Sequence, residues 1–222
     1  MEGPPPPDEA ALEKLLDELA PLAPAPLCPE VRVFQAPDLY ALWAKAEELV
    51  GAVVNPPFWA VPWPAGLAIA RVLLDSPVWA RARRCLDVGV GGGVVALAAA
   101  KAGASRVVGV DVDPWALAVA RIAARRNGVE LELVEADLSE RDPPEMPDLI
   151  LAADLEYEKE RSPRVRQRLE ALVAAGATLL TGDAGRLFFK KEGLHLVASY
   201  TLDVSKDVEG HESRVASVYS LE

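Results

Sequence analysis

Three carboxylates, Asp87, Asp111 and Asp137, stand at or near the ends of successive short apolar runs of the kind that form buried strands. The first lies two residues before Gly89 in CLDVGVGGGVVALAAA, where Gly89 and Gly91 can turn the backbone tightly and leave room for a ligand. A carboxylate placed there opposes a pyrophosphate. It suits instead a ligand with a sulfonium, an α-ammonium and no phosphate, the charge pattern of S-adenosylmethionine. Asp111, with Val112 beside it, ends the next run at the distance where an acid takes ribose hydroxyls. Asp137, followed by Leu138, can accept a hydrogen bond from an adenine amino group while a neighbouring backbone amide faces a ring nitrogen. Any one of these acids is explained as a turn residue. Together with the glycine loop they predict an S-adenosylmethionine pocket built from Asp87, Gly89, Gly91, Asp111, Val112, Asp137 and Leu138. The match of Gly91-x-Gly93-x-x-Ala96 to G-x-G-x-x-A keeps an NAD-type nucleotide-binding protein as an alternative.

Two stretches compete for the reacting end of such a site. Asn55-Pro56-Pro57-Phe58 has the form that amino-group methyltransferases place around the nitrogen they methylate, whereas the fourth apolar run ends in Asp154-Leu155-Glu156-Tyr157. The second stretch follows the strand whose end faces substrate in this class, so the first is expected to be a proline-stiffened turn leading to a helix over the cofactor mouth. Phe58 reads as core. Trp63, held between Pro62 and Pro64, is open between core packing and a place against adenosine or methionine, and is counted with the cofactor residues. Asp154 and Tyr157 are the candidate catalytic pair, with a capping role as the alternative for Asp154.

The elements that must position these residues follow from periodicity. Strands are predicted at Cys85–Val88, Arg106–Val110, Leu131–Val134, Leu149–Ala152, Thr178–Leu180, Leu194–Ser199 and Val215–Tyr219. Helices at 94–102, 115–126 and 162–174 are long enough for right-handed crossovers, and the short polar link 203–213 permits a final antiparallel hairpin. The fold class is therefore α/β: a Rossmann-like, mostly parallel seven-stranded sheet with a C-terminal antiparallel hairpin and helices on both faces, as in class I methyltransferases. Ahead of it, residues 1–29 read as a Pro-rich extension. Its polyproline start cannot be helical, and Leu12, Leu15, Leu16 and Leu19 then recur at helical spacing. Residues 30–222 form the catalytic domain, beginning with the strand VRVF, a helix near Asp38 and another from Pro64.

PFWAVPWPAG, LDVGVGGG followed by AAAKAGASRVVGVDVDP, ADLEY and TGDAGR resemble the lysine methyltransferases that modify the β subunit of electron-transfer flavoprotein, and more distantly the ribosomal-protein lysine methyltransferases. The resemblance covers roughly Pro29 to Glu222. It implies S-adenosylmethionine-dependent methylation of a lysine ε-amine in a protein. It carries cofactor roles onto Asp87, Gly89, Asp111 and Asp137, and substrate-lysine roles onto Asp154 and Tyr157. Its most specific parts are the W-x-x-x-W-P element, the Asp-x-x-Tyr stretch and the turn Gly182–Arg186. Chemistry agrees with this: a lysine amine must lose a proton before it attacks, Asp154 can orient it, and Tyr157 can face the cation that forms. Glu156, Glu158 and Glu160 could draw a basic peptide toward the cleft. Methylation of a small molecule or another protein nitrogen is the alternative.

Composition narrows the partners. In 222 residues, 51% of them hydrophobic, one sizeable core can form. A net charge of -11 opposes nucleic-acid backbones, so no nucleic-acid partner is expected. The start MEGPPPPDEA lacks the pattern of a signal peptide and no apolar run is long enough for a membrane span, so a cytoplasmic protein without membrane contacts is expected. Cys28 and Cys85 imply no disulfide framework, and the two histidines, His195 and His211, are too isolated to propose a metal site.

Overall fold

The structure, a computed structural model, describes residues 3–222. Helix α1, Glu9–Leu19, begins where Asp8 accepts a hydrogen bond from the Ala11 amide at 2.9 Å. Strands β1, Leu22–Ala25, and β2, Cys28–Phe34, make an antiparallel hairpin, and α2, Leu39–Val50, follows with Asp38 as its cap. Prolines at 21, 24 and 26 hid β1 from the periodicity. They are tolerated because both strands of a two-stranded ribbon are edges that need only half their donors. The division expected after residue 29 falls inside β2. Leu12, Leu15 and Leu16 of α1 also lie in the same apolar core as the helices that cover the main sheet, so the extension is part of the domain's packing.

After α3, Pro64–Asp75, the chain alternates strand and helix: β3 Arg84–Val88, α4 Val94–Lys101, β4 Arg106–Asp111, α5 Pro114–Asn127, β5 Glu132–Glu135, β6 Leu149–Ala153, α6 Ser162–Ala174 and β7 Thr178–Asp183. Strand β8, His195–Asp203, a one-turn helix α7, Lys206–Glu209, and β9, Ser213–Leu221, complete it. The sheet order is β5-β4-β3-β6-β7-β9-β8, parallel through β7, with β9 antiparallel to both β7 and β8. This is the architecture expected from the sequence.

Alternation along the central strands sorts their side chains between two cores. Cys85, Leu149 and Leu151 pack toward α3 and α4, whereas Leu86, Val88, Ile150 and Ala152 pack toward α6. By the same period of two, Asp87 projects to the α3–α4 side. The order of connection reverses between β3 and β6, which opens a crevice at the carboxyl ends of those two strands. That is where open α/β sheets bind ligands.

Candidate active site

The loop after β3 is tied down by its own backbone. The Gly89 and Val90 amides donate to the Val110 carbonyl at 2.9 and 3.0 Å, and the Gly93 amide donates to Val90 at 2.8 Å. Asp111 organises the loop as well. Its Oδ2 accepts from the Gly91 amide at 2.9 Å and its Oδ1 from the Asp113 amide at 3.0 Å. Gly91 has φ +51°, and a side chain there would meet nothing nearer than the Gly89 carbonyl at 3.9 Å, so this part of the loop borders open space. Gly89 lines the crevice with φ +69°, a left-handed conformation that favours glycine, and the end of the Leu155 side chain lies 2.6 Å from where a Cβ would stand.

One crevice brings together Trp63, Asp87, Gly89 and Gly91 with Phe34, Trp59, Gly66 and Ala153. Phe34 and Trp59 were missed in the sequence as site residues because each sits in a stretch that explains itself as core. Asp111, Val112, Asp137 and Leu138 lie at the adjoining strand ends. Val112 is 44% exposed, whereas the Leu138 side chain is buried in the α6-side core, which leaves only its backbone for a ligand.

The electrostatics fit a cationic nucleoside. Asp87 is buried and accepts one hydrogen bond, from the Ala96 amide near the start of α4, at 2.9 Å. No basic side chain pairs with it among the described residues. Burial pushes its carboxyl up to about 8, against the pull of the Ala96 amide, and the charge of Asp111 adds to the rise. A buried acid without a cation of its own is a seat for an ammonium. Burial also raises Asp111 and takes Asp113 to about 6. At Asp137 burial is outweighed by Ser139, whose amide donates at 2.8 Å, and by Arg161, 3.2 Å away, so this carboxyl is held low. Arg161 gave no signal in the sequence. It stands just past the DLEY turn, so that segment runs from β6 to the end of β5, three strands across the sheet.

Asp154 adopts φ +52°, a left-handed conformation that Asp tolerates better than most residues, and this turns Leu155 back over Gly89. Its carboxylate is buried and engaged on both oxygens. Oδ2 accepts from the Ala65 amide in the first turn of α3 at 3.0 Å, and Oδ1 from Arg186 Nε at 2.7 Å. Burial raises its carboxyl and Arg186 opposes the rise. Asp154 thus caps the helix that carries Gly66 into the crevice; it does not itself line the crevice but follows Ala153, which does. Tyr157, on the same turn, is 54% exposed, and partial desolvation and the charge of Glu158 push the phenol up. Glu156 is buried against Arg166 at 3.2 Å, so it is not available to attract a peptide as expected, whereas Glu158 and Glu160 are exposed. Asn55 is exposed, and the turn that follows it places Trp59 against the glycine loop.

Fold and crevice together define a class I S-adenosylmethionine-dependent methyltransferase. A family model described as ribosomal protein L11 methyltransferase (PrmA) matches residues 72–156. The chain is 32% identical over 203 residues to an electron transfer flavoprotein beta subunit lysine methyltransferase of Xenopus laevis, covering 89% of this chain and 81% of that protein. It is 36% identical over 196 residues to a ribosomal protein L11 methyltransferase of Geobacter metallireducens, covering 77% of this chain and 63% of that one. Among solved structures, the N-methyltransferase NodS from Bradyrhizobium japonicum, in complex with S-adenosyl-L-homocysteine, superposes with a TM-score of 0.52 at 18% identity, over 70% of this chain and 85% of that chain. The chain belongs to the family of electron transfer flavoprotein β subunit lysine methyltransferases.

Proposed function

We propose that this enzyme methylates a lysine ε-amine of a protein substrate in the crevice between β3 and β6. The observation that carries the reading is Asp154: a buried, ion-paired carboxylate at the end of β6, directly after crevice-lining Ala153, in a chain similar over most of its length to lysine methyltransferases. S-adenosylmethionine supplies the methyl group as a sulfonium electrophile. Asp87 receives the α-ammonium, Asp111 the ribose hydroxyls, and Asp137 the adenine edge. Asp154 retains a free lone pair on each oxygen and can orient the substrate nitrogen, and the exposed ring of Tyr157 borders its approach. Exposed Glu158 and Glu160 beside that approach favour a cationic side chain.

The relatives' names supply the first candidates: the β subunit of electron transfer flavoprotein, then ribosomal protein L11. A net charge of -11 favours a protein partner over nucleic acid, and two buried free thiols suit a reducing, cytoplasmic compartment. The test is methyl transfer from labelled S-adenosylmethionine to each candidate from the same organism, with the modified residue located by mass spectrometry. Label on lysine is the expected result. Label on another protein nitrogen, or only in the small-molecule fraction, would overturn the lysine reading.

A further inference from the structure

The turn Gly182–Arg186 begins in the last two residues of β7. Its geometry is fixed by Asp183, whose two carboxylate oxygens accept from the Gly185 amide at 2.7 Å and the Arg186 amide at 3.0 Å. The turn thereby delivers one side chain, Arg186, into a buried meeting point of three separate elements. Its Nε donates to Asp154 at 2.7 Å, at the end of β6. Its two terminal nitrogens donate to Glu209 of α7, Nη2 at 2.9 Å and Nη1 at 3.3 Å. Its guanidinium carbon stands 5.2 Å from the centre of the Trp63 ring, which lines the cofactor crevice. Glu209 is itself held by Arg214 of β9, through Nε at 3.1 Å and through Nη2 to the Glu209 carbonyl at 3.0 Å.

We propose that Arg186, braced by Glu209, is the positioning residue of the lysine site, fixing the Asp154 carboxylate. This rests on the assignment of Asp154 to the substrate amine. A buried ion pair kept only for stability needs two partners, and apolar residues of similar volume replace it readily. Here one planar fork reaches a site carboxylate, a crevice aromatic and the connection between β8 and β9, a geometry that lysine cannot reproduce. Glu209 shares the guanidinium, so Arg186 is held between two carboxylates and does not collapse onto Asp154 alone. The far edge of the sheet is thus coupled to the reacting end of the site.

The test compares the parent with Arg186→Ala, Arg186→Lys and Glu209→Gln in the full chain, measuring S-adenosylhomocysteine affinity, melting temperature, and kcat and KM on the methylated protein. Arg186→Ala is expected to lower kcat about a hundredfold while S-adenosylhomocysteine affinity stays within a few-fold, because orientation is lost and not the cofactor pocket. Arg186→Lys should recover little of that loss. Added methylguanidinium should restore about tenfold to Arg186→Ala and nothing to the parent. If Arg186→Ala fails to fold, Glu209→Gln decides, with an expected fall of about tenfold in kcat at unchanged cofactor affinity. Parent-like kcat in the folded variants overturns the proposal, as does a parallel loss of kcat and cofactor affinity. A parent that labels no lysine overturns the functional reading first, and is recognised without any variant.

Discussion

If Asp87 receives the cofactor's ammonium as proposed, its buried environment predicts that binding depends on pH. Its folded-state carboxyl is raised to about 8, so the folded chain without ligand holds a proton that the unfolded chain has lost. Stability from this group is therefore fullest at low pH, and declines as pH rises from the ordinary carboxylate range through about 8. An ammonium ligand needs the ionised form, so binding must release that proton. Between about pH 6 and 7.5, below the titration of an α-amino group, S-adenosylhomocysteine affinity should rise by up to roughly tenfold per pH unit. Calorimetric titration in buffers of different ionisation enthalpy would show one proton released per ligand bound. In Asp87→Asn the pH slope should vanish and affinity at pH 7 should fall, and a slope that survives the substitution would place the titrating group elsewhere. Asp154 differs because its charge is already answered by Arg186. An asparagine there keeps one acceptor but turns an amide group toward one of the two donors, Ala65 or Arg186. Asp154→Asn is expected to cost about 1–3 kcal/mol of stability, which turn position alone would not suggest. Turnover on protein lysine should fall by roughly two to four orders of magnitude with cofactor affinity nearly unchanged. Full turnover at saturating cofactor would remove Asp154 from the chemistry.

At the scale of elements, the turn that carries Asn55 shows what a short motif can and cannot establish. It lies before α3, and its buried Trp59 abuts the glycine loop so closely that a side chain at Gly92 would stand 2.3 Å from the Trp59 carbonyl. The stretch thus supports the crevice through its aromatic residue, while Asn55 itself is exposed, its amide beside Gly3. Asn55→Ala should leave the methyl-transfer rate within a few-fold of the parent, measured at saturating cofactor. A loss of a hundredfold would mean that the amide touches the reacting nitrogen. The parallel strands and their helices were legible because each is a single periodic run between turn residues, and so was the position of Asp87, Asp111 and Asp137 at or just past three strand ends. Strand β1 was not, since its prolines argue against a strand unless the partner is an edge. Nor was the fold-back of Leu155 onto Gly89, which depends on a left-handed backbone at Asp154 that no spacing reveals. Arg186 was visible as part of a motif, but its role depends on Glu209, which approaches only through the pairing of β9 with β7.

For the molecule as a whole, the question is what fastens α1 to the sheet. Two kinds of contact meet there. Arg125 of α5 pairs with Glu9 at 2.7 Å and with Glu13, and Arg126 pairs with Asp17 at 2.5 Å, a ladder of ions along the helix pair. Beneath it Leu12, Leu15 and Leu16 are buried, Leu16 completely. Pro4 adds a carbonyl that accepts from the Trp115 indole at 2.9 Å, in the first turn of α5 just beyond Asp111. The arginine at 125 and its partners are open to water, where salt screens them and long side chains lose freedom on pairing, so the ladder sets register more than stability. The leucines lose water contact wholly, and removing one leaves a cavity between elements that cannot close around it. Leu16→Ala should therefore destabilise the protein by about 2–5 kcal/mol, whereas Arg125→Ala should melt close to the parent. Raising salt to about 0.5 M should shift the parent's melting temperature little, since the Debye length there is only a few ångströms and the screened pairs contribute little. Because the first turn of α5 carries Asp113 and Trp115 beside the nucleoside acids, a loosened α1 should also weaken S-adenosylhomocysteine binding, and Leu16→Ala is the variant to show it. Thermal melts of both variants at low and high salt, with and without S-adenosylhomocysteine, separate the two accounts. A parent that loses its stability in salt, or an Arg125→Ala that melts like Leu16→Ala, would make the ion ladder the fastening.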